Sequence, residues 1–116
     1  MIASGVSWRK ESKVRLTVNP GGQEILVACR PELVIGRASK KTVPDIDLSP
    51  FGGSKAGVSR KHSRLLCQHG DWFVEDLGST NGTFVNGEKI APNQKVAVKH
   101  NDEIRCGQIE LHFAID

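Results

Sequence analysis

The sequence is poor in aromatic residues and in long apolar runs. Aromatic side chains make up 5% of its 116 residues, tyrosine is absent, and no run of 18 apolar residues occurs. A transmembrane helix needs about 20 consecutive apolar residues, so the sequence predicts none. A surface that stacks the bases of a single-stranded nucleic acid needs exposed aromatic rings, so this composition does not favour that function.

Cysteine is also scarce, with only Cys29, Cys67 and Cys106 in the chain. An odd and widely spaced set is not typical of a disulfide framework, and each cysteine lies in an apolar stretch. We therefore expect three small, reduced and buried side chains. The residues Met1–Arg9 lack the apolar core of a signal peptide. These features together predict a cytoplasmic location.

The length and composition fit a single globular domain. Hydrophobic residues make up 38% and charged residues 25% of the chain, which is close to ordinary globular usage. A chain of this length can bury a core without cross-links. Residues 1–12 show no hydrophobic periodicity, so we predict a linker or a vector-derived remnant there and a folded domain over residues 13–116.

Positive charge is concentrated between Gly36 and Arg64. That stretch holds seven basic and two acidic side chains, a local net charge of +5, whereas the whole chain carries +3. A local basic patch predicts an anionic ligand without identifying it. Nucleic acid is one alternative, although no segment offers a helix for the major groove.

The dominant hydrophobic period is two residues. Apolar and polar residues alternate over 14–18, 25–29 and 109–115, which is typical of strands with one buried face. Turn sequences such as Asn81-Gly82 and Asn86-Gly87 separate the runs. Many short strands with frequent turns predict an all-β sandwich or barrel. Residues 38–57 predict surface loops around one short strand, with an exposed Phe51.

Three short motifs at strand ends carry groups suited to binding an oxyanion. The planar N–H donors of Arg37 and Arg60 match a phosphate, and Ser59 and Thr80 offer hydroxyl donors. The side-chain amide of Asn81 can clamp a peptide backbone. A sandwich could bring these loops to one rim. The motifs are Ile35-Gly36-Arg37, Val58-Ser59-Arg60-Lys61-His62, and the segment Asp76-Leu77-Gly78-Ser79-Thr80-Asn81-Gly82-Thr83-Phe84-Val85-Asn86-Gly87.

The order and spacing of these motifs resemble the forkhead-associated (FHA) domain family. The resemblance runs from about Leu33 to Phe113. It implies a β-sandwich of two antiparallel sheets whose loops, at one end, bind an extended phosphothreonine peptide. The implied partner is therefore a phosphothreonine-containing protein, with no cofactor, metal, nucleic acid or membrane. We expect the domain to be monomeric in isolation and part of a larger protein.

The same resemblance implies roles for individual residues. Arg37 would hold the phosphate, and Ser59 would donate a hydrogen bond to a phosphate oxygen. Arg60 would add a second contact, Thr80 would lie beside the phosphate pocket, and Asn81 would fix the peptide main chain. Four other residues are expected to shape the site without binding ligand: Gly36, His62, Ser79 and Gly82.

Catalysis is an alternative from a different class. Ser59, His62 and Asp76 could be arranged as a hydrolase triad, but no Gly-x-Ser-x-Gly elbow surrounds Ser59. The nearby arginines also suit an anion better than an acyl substrate, and no Cys or His pair has the spacing of a zinc site. We therefore predict a binding module and not an enzyme. A phosphate-independent contact through an outer sheet face is a further alternative that the sequence leaves open.

Overall fold

The computed structural model describes residues 13–115, so the predicted linker over residues 1–12 lies outside the described residues. Within this range the chain forms eleven strands and one 3₁₀ turn, Ser49–Phe51. No helix in the described part is apolar and long enough to cross a membrane. The strands are β1 (Lys13–Asn19), β2 (Gln23–Ala28), β3 (Leu33–Gly36), β4 (Ile46–Asp47), β5 (Ser63–Gln68), β6 (Asp71–Asp76), β7 (Thr83–Val85), β8 (Glu88–Lys89), β9 (Val96–Val98), β10 (Glu103–Cys106) and β11 (Ile109–Ile115).

The strands form two sheets that enclose a common core, which confirms the predicted β-sandwich. The six-stranded sheet has the order β2-β1-β11-β10-β7-β8, and the five-stranded sheet has the order β4-β3-β5-β6-β9. The strand pairings are antiparallel except that of β3 with β4, where Ile35 lies opposite Ile46 in a parallel register. The chain reaches β4 through a loop over residues 37–45, and this loop holds much of the basic stretch.

The core follows the two-residue alternation of the sequence. Leu16 on β1 lies opposite Phe113 on β11, and both side chains are fully buried. The ring of Phe113 meets Trp72 of the other sheet edge to face, with 5.8 Å between ring centroids, a favoured aromatic geometry. The alternation is interrupted within β5, where Leu65 and Leu66 are both buried, and at the end of β11, where Ile115 is 38% exposed.

The cysteine prediction is wrong for two of the three residues. Cys29, directly after β2, forms a disulfide with Cys67 on β5, and their Cα atoms lie 5.5 Å apart, within the usual range. The bond therefore links one sheet to the other. Cys106 is free and buried as expected, and burial raises the pKa of its thiol to about 12.

The segment between Leu48 and Val58 is hydrogen-bonded along its length. The Gly53 N–H donates to the Leu48 carbonyl at 3.0 Å, and the Val58 N–H donates to the Gly53 carbonyl at 2.9 Å. A Cβ on Gly53 would lie 2.8 Å from that Leu48 oxygen, so glycine lets the chain fold back on itself. Phe51 is half-buried against the core, and the expectation of an exposed ring is wrong.

Candidate functional site

Three loops meet at one end of the sandwich, after β3, before β5 and between β6 and β7. The backbone N–H of His62 donates to the Ile35 carbonyl at 2.9 Å, and the His62 carbonyl accepts from the Leu77 N–H at 3.0 Å. Any Cβ on Gly36 would overlap the carbonyl oxygen of Arg60. Glycine at position 36 is therefore what allows the end of β3 to pack directly on the neighbouring loop.

His62 lies beneath these loops and connects two of them. Its side chain is fully buried, Nδ1 lies 3.0 Å from the backbone N of Ser59, and Nε2 lies 2.8 Å from the Gly82 carbonyl. The backbone N–H can only donate, so Nδ1 is the acceptor and Nε2 carries the proton that binds Gly82. Burial lowers the pKa of His62 against the opposing effects of this carbonyl and the Asp76 charge, which keeps the ring neutral near pH 7.

Asp76 organises the loop between β6 and β7, and sequence reasoning did not assign it this role. Its carboxylate is 2% exposed and accepts hydrogen bonds from the Gly78 N–H, from the Ser79 N–H and hydroxyl, and from the Thr83 hydroxyl. Burial would raise the pKa of Asp76, but these hydrogen bonds outweigh burial and lower it. An Asp two residues before a glycine was the available signal, because Asp side chains bind backbone two residues on.

Ser79 and Ser59 extend this network to the surface. The Ser79 hydroxyl donates to Asp76 at 2.6 Å and accepts from the Gly82 N–H at 2.9 Å. Gly82 has φ of +87°, a conformation that favours glycine. The Ser59 hydroxyl oxygen accepts from the Thr80 N–H at 3.2 Å, which leaves its own hydrogen available for an acceptor on a ligand.

Arg37 and Asn81 are each anchored by one hydrogen bond and have unused hydrogen-bonding groups. Arg37 Nε donates to the Val58 carbonyl at 2.8 Å, and its two terminal nitrogens have no partner within residues 13–115. Asn81 Nδ2 donates to the Gly57 carbonyl at 2.9 Å, while its Oδ1 has no partner in the described residues. The anchors orient both side chains, and the remaining groups can bind an anion and a peptide backbone.

The loops thus bring the predicted site residues to one end of the molecule. Arg60, Thr80 and Asn81 are exposed, Arg37 and Ser59 are half-buried, and His62 and Gly82 lie beneath them. Arg60 forms no ion pair with a carboxylate in the part of the chain that the structure describes. The full set consists of Gly36, Arg37, Ser59, Arg60, His62, Ser79, Thr80, Asn81 and Gly82.

The alternative of a hydrolase triad lacks the required contacts. A triad needs a hydrogen bond from the serine hydroxyl to the imidazole and one from the imidazole to the carboxylate. Here Nδ1 of His62 binds the backbone N–H of Ser59, and Nε2 binds the Gly82 carbonyl. The Asp76 carboxylate accepts from its own loop. Residues 13–115 also contain no group of three His, Cys, Asp or Glu side chains that could hold a metal ion.

The comparisons with known proteins agree with the motifs. The FHA domain model matches residues 33–107, and the chain belongs to the FHA domain family. FhaB of Mycobacterium tuberculosis, an FHA domain-containing protein, is 33% identical over 112 residues, covering 94% of this chain and 65% of FhaB. Protein FraH of Nostoc is 32% identical over 77 residues, covering 66% of this chain and 26% of FraH.

The fold comparison gives the same family. A chain solved in a structural and functional study of phosphothreonine-dependent FHA domain interactions superposes on this one with a TM-score of 0.71. The two chains are 27% identical, and the match covers 90% of this chain and 97% of that one. This chain spans only about a quarter of FraH and about two thirds of FhaB.

Proposed function

We propose that this domain binds phosphothreonine in a partner protein and so mediates a phosphorylation-dependent protein-protein interaction. The observation that carries the proposal is that Arg37, Ser59 and Asn81 converge with unused hydrogen-bonding groups on loops fixed by buried hydrogen bonds. The chain is also similar to a domain from a study of phosphothreonine-dependent FHA interactions. A preformed site of this kind loses little conformational entropy when the ligand binds.

Each exposed group has a role in this proposal. The terminal N–H groups of Arg37 bind two phosphate oxygens, since a guanidinium matches that geometry. The Ser59 hydroxyl donates to a third oxygen, and Arg60 supplies a further positive charge. Thr80 lies beside the phosphate, and the Asn81 amide binds the peptide main chain. Hydrogen bonds to charged groups contribute roughly 1.5–3 kcal/mol each, which after ordering costs predicts a Kd on the order of 1 μM.

The proposal also covers the oligomeric state of the domain, the larger protein to which it belongs and its cellular location. We infer that the domain is a binding module without catalytic activity and is monomeric in isolation. We also propose that it is part of a larger protein, since the chain covers only part of FraH and of FhaB. Kinases make phosphothreonine from ATP, so the proposed location is the cytoplasm.

Substitution of Arg37 tests the proposal directly. Calorimetry should detect binding of a phosphothreonine peptide and no binding of the same peptide in its unphosphorylated form. Arg37→Ala should weaken that binding roughly 100-fold, because a bidentate charged contact is lost. Arg37→Lys should recover little of it, because an ammonium lacks the planar set of donors.

Arg30→Ala is the matched control. Arg30 is exposed in the connection between β2 and β3, at the other end of the sandwich, and its removal changes the net charge equally. We expect nearly unchanged affinity for this variant. Equal losses in Arg30→Ala and Arg37→Ala, or near-normal affinity in the Arg37 variant, would overturn the proposed site.

A further inference from the structure

A second positively charged feature lies directly beside the candidate site. It is an open cleft of about 590 Å³ between the loop after β3 and the loop before β5, and we call it the basic cleft. Arg60 belongs to the basic cleft and also follows Ser59 in the candidate phosphothreonine site, so the two features are contiguous. The basic cleft is lined by Ser39, Lys40, Lys41, Thr42, Arg60 and Lys61.

The basic cleft has four cations and no carboxylate in its lining, and Asp45 lines an adjoining pocket together with Arg60 and Lys61. Its three lysines and Arg60 are exposed, and none forms an ion pair within residues 13–115. The two acidic residues of the same stretch bind backbone instead. Asp45 accepts from the Val34 N–H at 2.8 Å, and Asp47 accepts from the N–H groups of Ala38 and Ser49 at 3.1 and 2.9 Å.

Arg64 shows what a neutralised cation looks like in this molecule. Its guanidinium pairs with both Glu32 and Glu75, and these contacts raise its pKa. Arg64 lies on β5, only three residues beyond Lys61. The cations of the basic cleft therefore differ from the nearby Arg64 in having no carboxylate partner within residues 13–115.

The two loops that present these cations are fixed by their backbones. The Ser39 hydroxyl oxygen accepts from the N–H groups of Lys41 and Thr42 at 3.3 and 3.2 Å, and the Ser39 N–H donates to the Thr42 carbonyl at 2.8 Å. This closed turn holds Lys40 and Lys41 at its tip. On the opposite side, the close packing of Gly36 on Arg60 fixes the second loop.

We propose that the basic cleft binds a second anionic group of the phosphothreonine ligand, either a cluster of carboxylates or a second phosphate. The inference rests on the proposed function, because the phosphothreonine places the rest of the peptide. An extended peptide advances about 3.3 Å per residue, and Arg60 belongs to both features, so the second group lies within a few residues of the phosphothreonine. The ligand class is accordingly an acidic or multiply phosphorylated segment.

Matched peptides test this inference by fluorescence polarisation. The reference peptide carries one phosphothreonine between neutral residues, and the others add two aspartates or a second phosphothreonine at each position up to five residues away on either side. For the best position we expect about tenfold tighter binding than for the reference, since each exposed ion pair contributes up to roughly fivefold. The aspartate and phosphate series distinguish the two sources of charge.

Two double variants with the same change in net charge locate the effect. Lys40→Ala/Lys41→Ala should bind the reference peptide normally and lose most of the tenfold gain. The control is Lys95→Ala/Lys99→Ala, whose substituted residues flank β9, the edge strand at the opposite side of the five-stranded sheet from β4. This variant should keep the gain in affinity. Equal gains in both variants, equal losses in both, or no gain at any position would overturn the inference.

The remaining outcomes separate this inference from other possibilities. Failure of the wild-type domain to discriminate the reference peptide from its unphosphorylated form would refute the proposed function itself. Normal binding of the reference peptide without any effect of added charge would refute only the basic cleft. A single-stranded oligonucleotide that bound more tightly than the acidic phosphopeptides, in a manner dependent on Lys40 and Lys41, would also overturn the inference in favour of nucleic acid.

Discussion

The two ends of strand β5 are held in place by different means. At the binding end, before Ser63, the loops are joined by hydrogen bonds that converge on His62 and Asp76. At the far end, Cys67 is bonded to Cys29 of the other sheet, and its N–H donates to the Arg30 carbonyl at 3.1 Å. One end is thus held by buried polar groups, and the other by a covalent bond.

Because of this difference, we expect changes at the two ends to affect stability and ligand binding differently. The hydrogen-bonded network at the binding end orients groups that stay available at the surface, so a change there alters both the fold and the site. The disulfide at the far end includes none of the candidate site residues and connects the two sheets. A change there should reduce the stability of the fold and leave the geometry of the site intact.

Loss of the disulfide should have the largest effect. The bond spans 38 residues of sequence, and closing a loop of that length restricts the unfolded chain by about 4 kcal/mol in the chain-entropy model. The variant Cys29→Ala/Cys67→Ala should therefore have a free energy of unfolding that is lower by about that amount, as measured by urea denaturation. Its phosphopeptide affinity should be unchanged under conditions in which the domain is folded. Oxidised wild type is the reference.

The reductant dithiothreitol supplies the matched control. It should lower the stability of the wild-type domain toward that of the double variant and leave the double variant itself unaffected. Mass spectrometry after alkylation of the denatured oxidised protein should count one thiol, that of Cys106. Three reactive thiols, together with a urea midpoint insensitive to the reductant, would contradict the cross-linked far end.

Asp76→Ala should have the next largest effect and should act at the binding end. Removal of the carboxylate leaves the N–H groups of Gly78 and Ser79 and the Ser79 hydroxyl without their acceptor, while the Thr83 hydroxyl keeps only the Ser63 oxygen at 3.3 Å. Unsatisfied buried donors cost roughly 1–3 kcal/mol each, and partial hydration of the loop reduces the sum, so we expect a loss of about 3 kcal/mol in the free energy of unfolding. Phosphopeptide affinity should also fall.

Asp71→Ala is the control, because Asp71 is exposed at the opposite end of the same strand, β6. It should change stability by less than about 0.5 kcal/mol. Similar unfolding curves for the two aspartate variants would show that the carboxylate of Asp76 does not organise the loop.

The sequence predicts the binding end better than the far end. Gly36, His62 and Gly82 occur in short motifs that resemble the FHA family, and this resemblance predicts that they shape the site. The contacts that explain these roles, Gly36 with Arg60 and His62 with Gly82, are long-range. The alternation predicts a sandwich or a barrel, and the resemblance to the FHA family specifies the sandwich. The disulfide could not be predicted, because two cysteines 38 residues apart approach each other only through the packing of the two sheets.

Two other features depended on tertiary contacts in the same way. Phe51 lies among glycines that indicate a loop, and only the fold-back of Gly53 on Leu48 places the ring against the core. Asp76 stands at the start of a visible motif, but its four hydrogen bonds require the chain to turn through Thr83. The roles of the site residues toward a ligand stay predictions.

The smallest expected effect is a pH dependence that originates at the binding end. Burial lowers the pKa of His62 in the folded domain, so below about pH 6.5 the unfolded chain binds a proton that the folded domain does not. Stability is therefore complete above pH 6.5 and falls as the pH is lowered. If His62 stays neutral in the folded domain, the free energy of unfolding falls by about 1.4 kcal/mol by pH 5.5, and this value is the upper limit of the expected effect.

Urea unfolding of His62→Gln, whose amide can replace both ring contacts, should lack this slope between pH 7.5 and 5.5. His69→Asn removes an exposed histidine at φ of 54°, a conformation that asparagine tolerates, and should retain the slope. A slope that persisted in His62→Gln and vanished in His69→Asn would place the titration outside the buried network and remove the pH-sensitive distinction between the two ends.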